Sequence, residues 1–336
     1  MGWEIWGHTG AVNLLQGHLK QGRVRHAYLF CGPNGVGRRT LALRFAQALN
    51  CPQPIAPGEP CGTCRTCRQI AQMTHPDLLL VQVESGSTLK VDQVRALQHD
   101  LQLAPYESRY RVALLLNMER ATISAQNALL KTLEEPPGQA VLLLTADTPE
   151  SLLPTIVSRC EVVRLRPLPL ADLALILEQE RGLPPDWARE LAHLSGGCPG
   201  LALHYDSEPE RYQEHQRWLQ DALYLLGQKR VERFQYIENL SKDRDQFRAV
   251  LRAWITLWRD LLLCTTNADV PLTNLAFESA LRALARSLDS RQVTRCLAAL
   301  EQGMAYLDAN LNARLLGEML LLGWPYLNPE LTSASG

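Results

Sequence analysis

The sequence predicts an α/β fold followed by an all-α region, with a P-loop-type parallel sheet first and helices alone afterwards. Three observations carry this expectation. Short apolar runs alternate with helical patterns through the first half, which implies a parallel sheet covered on both faces. A glycine-rich loop, Gly32-Pro33-Asn34-Gly35-Val36-Gly37-Arg38-Arg39-Thr40, stands between one such run and a helix. After Pro167 and Pro169 the strand signal stops. A length of 336 residues suits roughly two or three domains.

Taken in order, HAYLFCG (26–32) is an apolar run closed by glycine, and LALRFAQAL (41–49) is helical beyond the loop. DLLLVQVE (77–84) reads as a second strand. VDQVRALQHDL (91–101) places Val91, Val94, Leu97 and Leu101 at helical spacing. RVALLLN (111–117) is a third strand, and SAQNALLKTLEE (124–135) is a helix stopped by Pro136 and Pro137. QAVLLLTA (139–146) and EVVRLRPL (161–168) complete the sheet. Residues 170–180 and 186–197 are helical, the second ending at a glycine pair suited to a C-cap. From about 208 the pattern is helical to about 328. There Trp254, Leu257, Trp258 and Leu261 form an i, i+3, i+4, i+7 stripe expected to be core. The divisions that follow are 1–167, 168–207 and 208–330, with a disordered tail at 331–336.

Hydrophobic residues make up 46% of the chain and charged ones 21%, enough for packed cores. Lys plus Arg is 34 and Asp plus Glu 35, which argues against a surface that is a polycation throughout. No apolar run approaches the length of a membrane span, and the N-terminal MGWEIWGHTG has no apolar signal-peptide core. The expectation is a soluble, cytoplasmic chain without a membrane partner.

The loop has the glycines of a phosphate loop but not its chemistry. In G-x-x-x-x-G-K-[ST] the lysine meets the β- and γ-phosphates and the hydroxyl holds Mg²⁺. Gly32, Gly35 and Gly37 remain; Arg38 takes the lysine position, Arg39 the hydroxyl position, and Thr40 comes one residue late. An arginine cannot ligate Mg²⁺, and its fork is directed differently from an ammonium. At the end of the third strand, Leu116 and Asn117 stand where an acidic pair belongs. Glu119, two residues on, reads as a solvated charge at a helix start. Both losses weigh against ATP as a cofactor.

Four of the nine cysteines cluster as Cys51-x9-Cys61-x2-Cys64-x2-Cys67 on a Pro- and Gly-rich insertion within 50–68. Four thiolates satisfy tetrahedral Zn²⁺, with no open position for catalysis. A four-iron cluster is the alternative, through C-x2-C-x2-C and the Cys51-Pro52 pair, although Ala71 stands where a further cysteine belongs. Cys31, Cys160, Cys198, Cys264 and Cys296 read as buried small apolar residues, and His75 as a loop residue.

These segments, with NALLKTLEEPP (127–137) and LLPTIVSRC (152–160), resemble the bacterial DNA polymerase III clamp-loader family of AAA+ proteins along the whole chain. The resemblance implies an AAA+ domain with a zinc insertion, a small helical lid domain and a C-terminal helical collar domain. It also implies tau/gamma ATPase subunits, a delta subunit, the sliding clamp and primed DNA as partners. Active members carry Gly-Ser-x-Arg in the lid; here the stretch is Gly197-Cys198-Pro199-Gly200, without the arginine. The degenerate site therefore suggests the non-hydrolysing branch of the family. Ser158-Arg159-Cys160 keeps the family motif whose arginine acts as a finger in a neighbour's ATP site, so Ser158 and Arg159 are the expected catalytic contribution, made in trans. On residues alone, Arg159 reads as a surface charge beside Arg164 and Arg166, and Lys131, Glu134 and Glu135 are solvated. Two other readings stay open: an ATPase with Arg38 and Thr40 as substitutes, and a stand-alone zinc-dependent nucleic-acid binder.

Overall fold

A computed structural model describes residues 3–82, 88–309 and 311–327, the side chain of Asp308 aside. The expected tail 331–336 and the last two residues of the expected strand 77–84 lie outside the described residues. The described chain divides into two units, residues 1–169 with 198–201, and residues 170–197 with 202–336.

The first unit runs α1 (Thr9–Lys20), β1 (Ala27–Cys31), α2 (Arg38–Asn50), α3 (Arg65–Ala71), β2 (Leu78–Val81), α4 (Val91–Leu101), β3 (Arg111–Leu115), α5 (Ile123–Glu134), β4 (Ala140–Ala146), α6 (Pro154–Val157) and β5 (Glu161–Arg164). The strands form one sheet in the order β2-β3-β4-β1-β5, every pair parallel. Alternation along each strand builds two cores. Ala27, Leu29 and Cys31 face one core with Ala113, Leu115, Leu142 and Leu144. Tyr28 and Phe30 face the other with Val112, Leu114, Val141 and Leu143. β1 and β4 are buried along their whole lengths, as central strands covered by helices on both sides must be. All five sheet strands are thus as expected in order but shorter, β5 stopping at Arg164 where the expected strand ran to 168.

Four helices among the described residues are absent from the sequence reading: α1, α3, α6 and α9 (below). α1 begins after His8 in left-handed backbone with no side-chain cap, so it carries no start signal. α3 is started by sulfur, since Cys64 Sγ accepts the Cys67 N–H where a serine or aspartate would ordinarily stand.

The second unit is helical: α7 (Leu170–Arg181), α8 (Pro185–Leu194), α9 (Pro199–Ser207, whose first residues belong to the first unit), α10 (Pro209–Leu226), α11 (Arg230–Leu240), α12 (Arg244–Thr266), α13 (Glu278–Ala285), α14 (Ser290–Asp308) and α15 (Ala313–Leu322). Proline opens α8, α9 and α10, where its fixed φ suits the helix and its missing N–H costs nothing. The pair Gly196 and Gly197 ends α8 in left-handed backbone, as expected. Trp254, Leu257, Trp258 and Leu261 on α12 are fully buried in the core of this unit. Buried Arg233 donates to the carbonyls of Leu225, Leu226, Leu321, Trp324 and Pro325, satisfying the open C-terminal ends of α10 and α15.

Candidate functional site

In a parallel sheet the ligand position is the crevice beyond the carboxyl ends of the strands. Here the loops after β1, β3 and β4 meet at that edge. The loop after β1 keeps phosphate-loop geometry: Gly35 and Gly37 have φ of +78° and +109°, which side-chain-bearing residues adopt only with strain. Gly37 leads directly into α2 without a side-chain cap, leaving the helix N-terminus of the kind that ordinarily receives phosphate.

Arg38 is buried and donates from Nη1 to Asp147 Oδ1 at 2.6 Å, at the end of β4. The cation that would meet phosphate already has an internal anion. Arg39 is exposed and donates to the Met73 sulfur, and Thr40 is exposed as well. Leu116 is buried, and Asn117 sits in left-handed backbone with its N–H on Thr145 Oγ1. No carboxylate therefore stands at the two positions after β3 that would hold and activate Mg²⁺ and water. Glu119 corrects the expectation of a solvated charge: its Oε2 is buried without a hydrogen-bond partner. Burial pushes its carboxyl above the ordinary range, and Asp147 adds to the shift while Arg38 opposes it.

The segment that lacks the family's lid arginine also approaches this loop. The Gly200 N–H donates to the Gly35 carbonyl at 2.7 Å. A Cβ at Gly200 would lie 2.9 Å from that oxygen, so a side chain here requires the loop to shift.

The four clustered cysteines converge. Their sulfurs all lie within 4.8 Å of one another, with Cys51 and Cys61 at 3.6 Å and Cys61 and Cys67 at 3.9 Å. A tetrahedral ion with about 2.3 Å metal–sulfur bonds sets its sulfurs roughly 3.8 Å apart. The set therefore fits one metal ion, whereas a four-iron cube seats each thiolate on a different corner and spreads them further. Backbone N–H groups of Cys61, Cys64 and Cys67 point at the sulfurs of Cys51, Cys61 and Cys64. The Cys64 N–H above all draws the Cys61 thiol down to about 6, whereas burial pushes the Cys51 and Cys67 thiols up. His75 is buried in its loop and accepts the Asp77 N–H; it is outside the metal-ligating group.

Sequence reasoning missed the residue that braces this module. Buried Gln47 on α2 donates to the Cys67 carbonyl at 2.6 Å. Arg44 donates to the other end of the same amide at 3.1 Å and to Glu4 at 2.6 Å. Trp3 donates to the Gly58 carbonyl, so the insertion is tied to both the N-terminal segment and α2.

Arg159 follows α6, with Ser158 as its C-cap. Its Nη1 donates to the Thr155 carbonyl at 2.9 Å and its Nη2 to Glu134 Oε1 at 2.7 Å. Glu134 is thus an ion-pair partner and not simply a solvated charge. Ser158 Oγ turns back to the Thr155 carbonyl at 3.1 Å. Among the described residues no helix is long and apolar enough to cross a membrane.

Comparison with known proteins agrees with this arrangement. The profile of the family described as DNA polymerase III, delta subunit, matches residues 7–169. The chain is 30% identical over 318 residues to DNA polymerase III subunit delta' of Bacillus subtilis, covering 93% of this chain and 94% of that one. It is 42% identical over 197 residues to the subunit delta' of Pseudomonas aeruginosa, 57% and 58% of the two chains. A solved gamma subunit-related protein of DNA polymerase III from Thermotoga maritima shares the fold at a TM-score of 0.50, with 18% identity, over 93% of this chain and 97% of that one. The relative matched along nearly its whole length, with the parallel sheet and the helical second half, identifies the chain as a member of the delta' family of DNA polymerase III clamp-loader subunits.

Proposed function

We propose that the chain is a non-hydrolysing subunit of a DNA polymerase III clamp-loader complex, which supplies Arg159 to the ATP site of a neighbouring subunit. The observation that carries the first half is the pair between buried Arg38 and half-exposed Asp147. It neutralises the one cation suited to phosphate, while Leu116 and Asn117 offer no ligand for Mg²⁺. What remains at Gly32, Gly35, Gly37, Arg38, Arg39 and Thr40 is a loop shape that no longer serves ATP turnover.

The finger role rests on Arg159 being partly exposed on a short turn, with its side chain 35% accessible. A guanidinium carried across an interface stabilises charge developing on a transferred phosphoryl group. The partners of this reading are the tau/gamma ATPases, the delta subunit, the sliding clamp and, through the assembled complex, primed DNA. Residues 168–207 are read as the lid and 208–330 as the collar that joins the ring, in a cytoplasmic assembly. Cys51, Cys61, Cys64 and Cys67 would hold one structural Zn²⁺, which fixes the insertion and takes no part in chemistry.

Two experiments test the reading. The purified chain, mixed with tau/gamma and delta subunits, is expected to co-elute with them in gel filtration and to show no Mg²⁺-dependent ATP turnover alone; robust turnover by the isolated chain would refute it. Elemental analysis is expected to give about one zinc per chain in a colourless protein, and a brown, iron-containing protein would overturn the metal assignment.

A further inference from the structure

The two terminal nitrogens of Arg159 are already engaged within the chain. Nη2 meets Glu134 at the end of α5, and Nη1 meets the Thr155 carbonyl in α6, so the guanidinium is strapped across two helices. Arginine grips a phosphoryl group through two parallel N–H bonds and an unspent positive charge. The Glu134 carboxylate occupies one of those nitrogens and offsets the charge. Both partners are partly open to water, with side chains 35% and 51% exposed. An exposed pair of this kind is weak and readily exchanged.

We propose that Glu134 is a positioning residue that parks Arg159. It holds the guanidinium ready on the surface, and a phosphoryl oxygen presented by a neighbour displaces the carboxylate. The proposal rests on the reading of Arg159 as a finger, and it adds a restraint on basal hydrolysis. The Thr155 carbonyl keeps Nη1 anchored during the exchange, so the side chain need only swing at one edge.

The test uses the full chain reconstituted with tau/gamma and delta subunits, with ATP turnover measured without and with clamp and primed DNA. Glu134→Ala is expected to raise the unstimulated rate roughly two- to fivefold, the population shift that loss of an exposed ion pair allows. The stimulated rate should stay within about twofold, because phosphate then displaces Glu134 in either protein. Glu134→Gln should move the same way by less. In an Arg159→Ala background the Glu134 change should have no effect. Nitrogen NMR of the isolated chain gives a readout independent of turnover: Arg159 Nη rotation should be slow in the wild type and fast in Glu134→Ala. A fall in unstimulated rate, an equal effect in the Arg159→Ala background, or identical Nη signals would each overturn parking. If Arg159→Ala abolishes turnover while Glu134→Ala is silent, parking alone fails; if Arg159→Ala is silent too, the finger reading fails with it.

Discussion

Two arginines in the first unit each meet a carboxylate at nearly the same distance, Arg38 with Asp147 at 2.6 Å and Arg159 with Glu134 at 2.7 Å. Their settings differ. The Arg38 side chain is 8% exposed, at the carboxyl edge of the central strands, while that of Arg159 is 35% exposed on a turn. Removing a guanidinium from water makes its partner hard to exchange, because breaking the pair leaves a buried charge uncompensated. On the surface water replaces either partner at little cost. The same residue type and the same bond thus give a buried guanidinium that needs its partner in one place and an exposed one that does not in the other. Distance alone does not separate them; burial does.

The largest effect that separates the two pairs is on rate. Arg159→Ala is expected to lower ATP hydrolysis at the neighbouring site by roughly 10³-fold or more, as fingers of this kind do, while gel filtration shows the complex still assembled. Arg159→Lys should recover little, since a point charge cannot reproduce the fork. Normal turnover in a well-formed Arg159→Ala complex would reduce the chain to a spacer.

Stability gives the next contrast. Asp147→Ala should destabilise the first unit by roughly 2–4 kcal/mol, towards the lower end because the Asp147 side chain is half exposed. Glu134→Ala should cost less than about 1 kcal/mol. Urea unfolding followed by the sheet's circular dichroism measures both, and equal losses would erase the distinction.

The smallest effect concerns Glu119, whose carboxyl is raised above the ordinary range first by burial and then by Asp147. A carboxyl raised in the folded state favours the protonated form there. Its contribution to stability is complete below the unfolded-state pKa and is lost as pH rises through the folded-state value. Glu119→Gln should therefore be more stable than the wild type near pH 7, with the advantage shrinking on acidification. Thermal unfolding from pH 4 to pH 8 checks this, and a variant less stable at pH 7 would place Glu119 in a useful ion pair.

How much of this was legible in the sequence follows from the range of the interactions. The five strands carried their own signal because a continuous apolar run is local, and Trp254, Leu257, Trp258 and Leu261 showed their buried face by spacing alone. The cysteine spacing announced a four-sulfur site, and the sulfurs do converge. The sequence reading missed α3, whose cap is a cysteine, and α1, which has none. Glu119 and Glu134 read as solvated in the sequence because nothing local reveals the burial of the first or the distant partner of the second. Asp147 and Gln47 were not singled out; Arg38 and Asp147 are 109 residues apart, and Gln47 and Cys67 are 20. Asp147 directly follows β4, at the strand end where a parallel sheet places its ligands. That position was the available signal.

The most direct measurement is Mg²⁺-dependent ATP turnover by the purified Arg38→Lys chain. If the site is closed by several independent losses, the lysine restores only one part: Arg39 still replaces the hydroxyl, Leu116 and Asn117 still replace the acidic pair, and Asp147 still stands beside the new cation. Turnover should remain at the level of the unsubstituted chain. Turnover like that of an ordinary ATPase from this single change would contradict the reading of the site as chemically emptied.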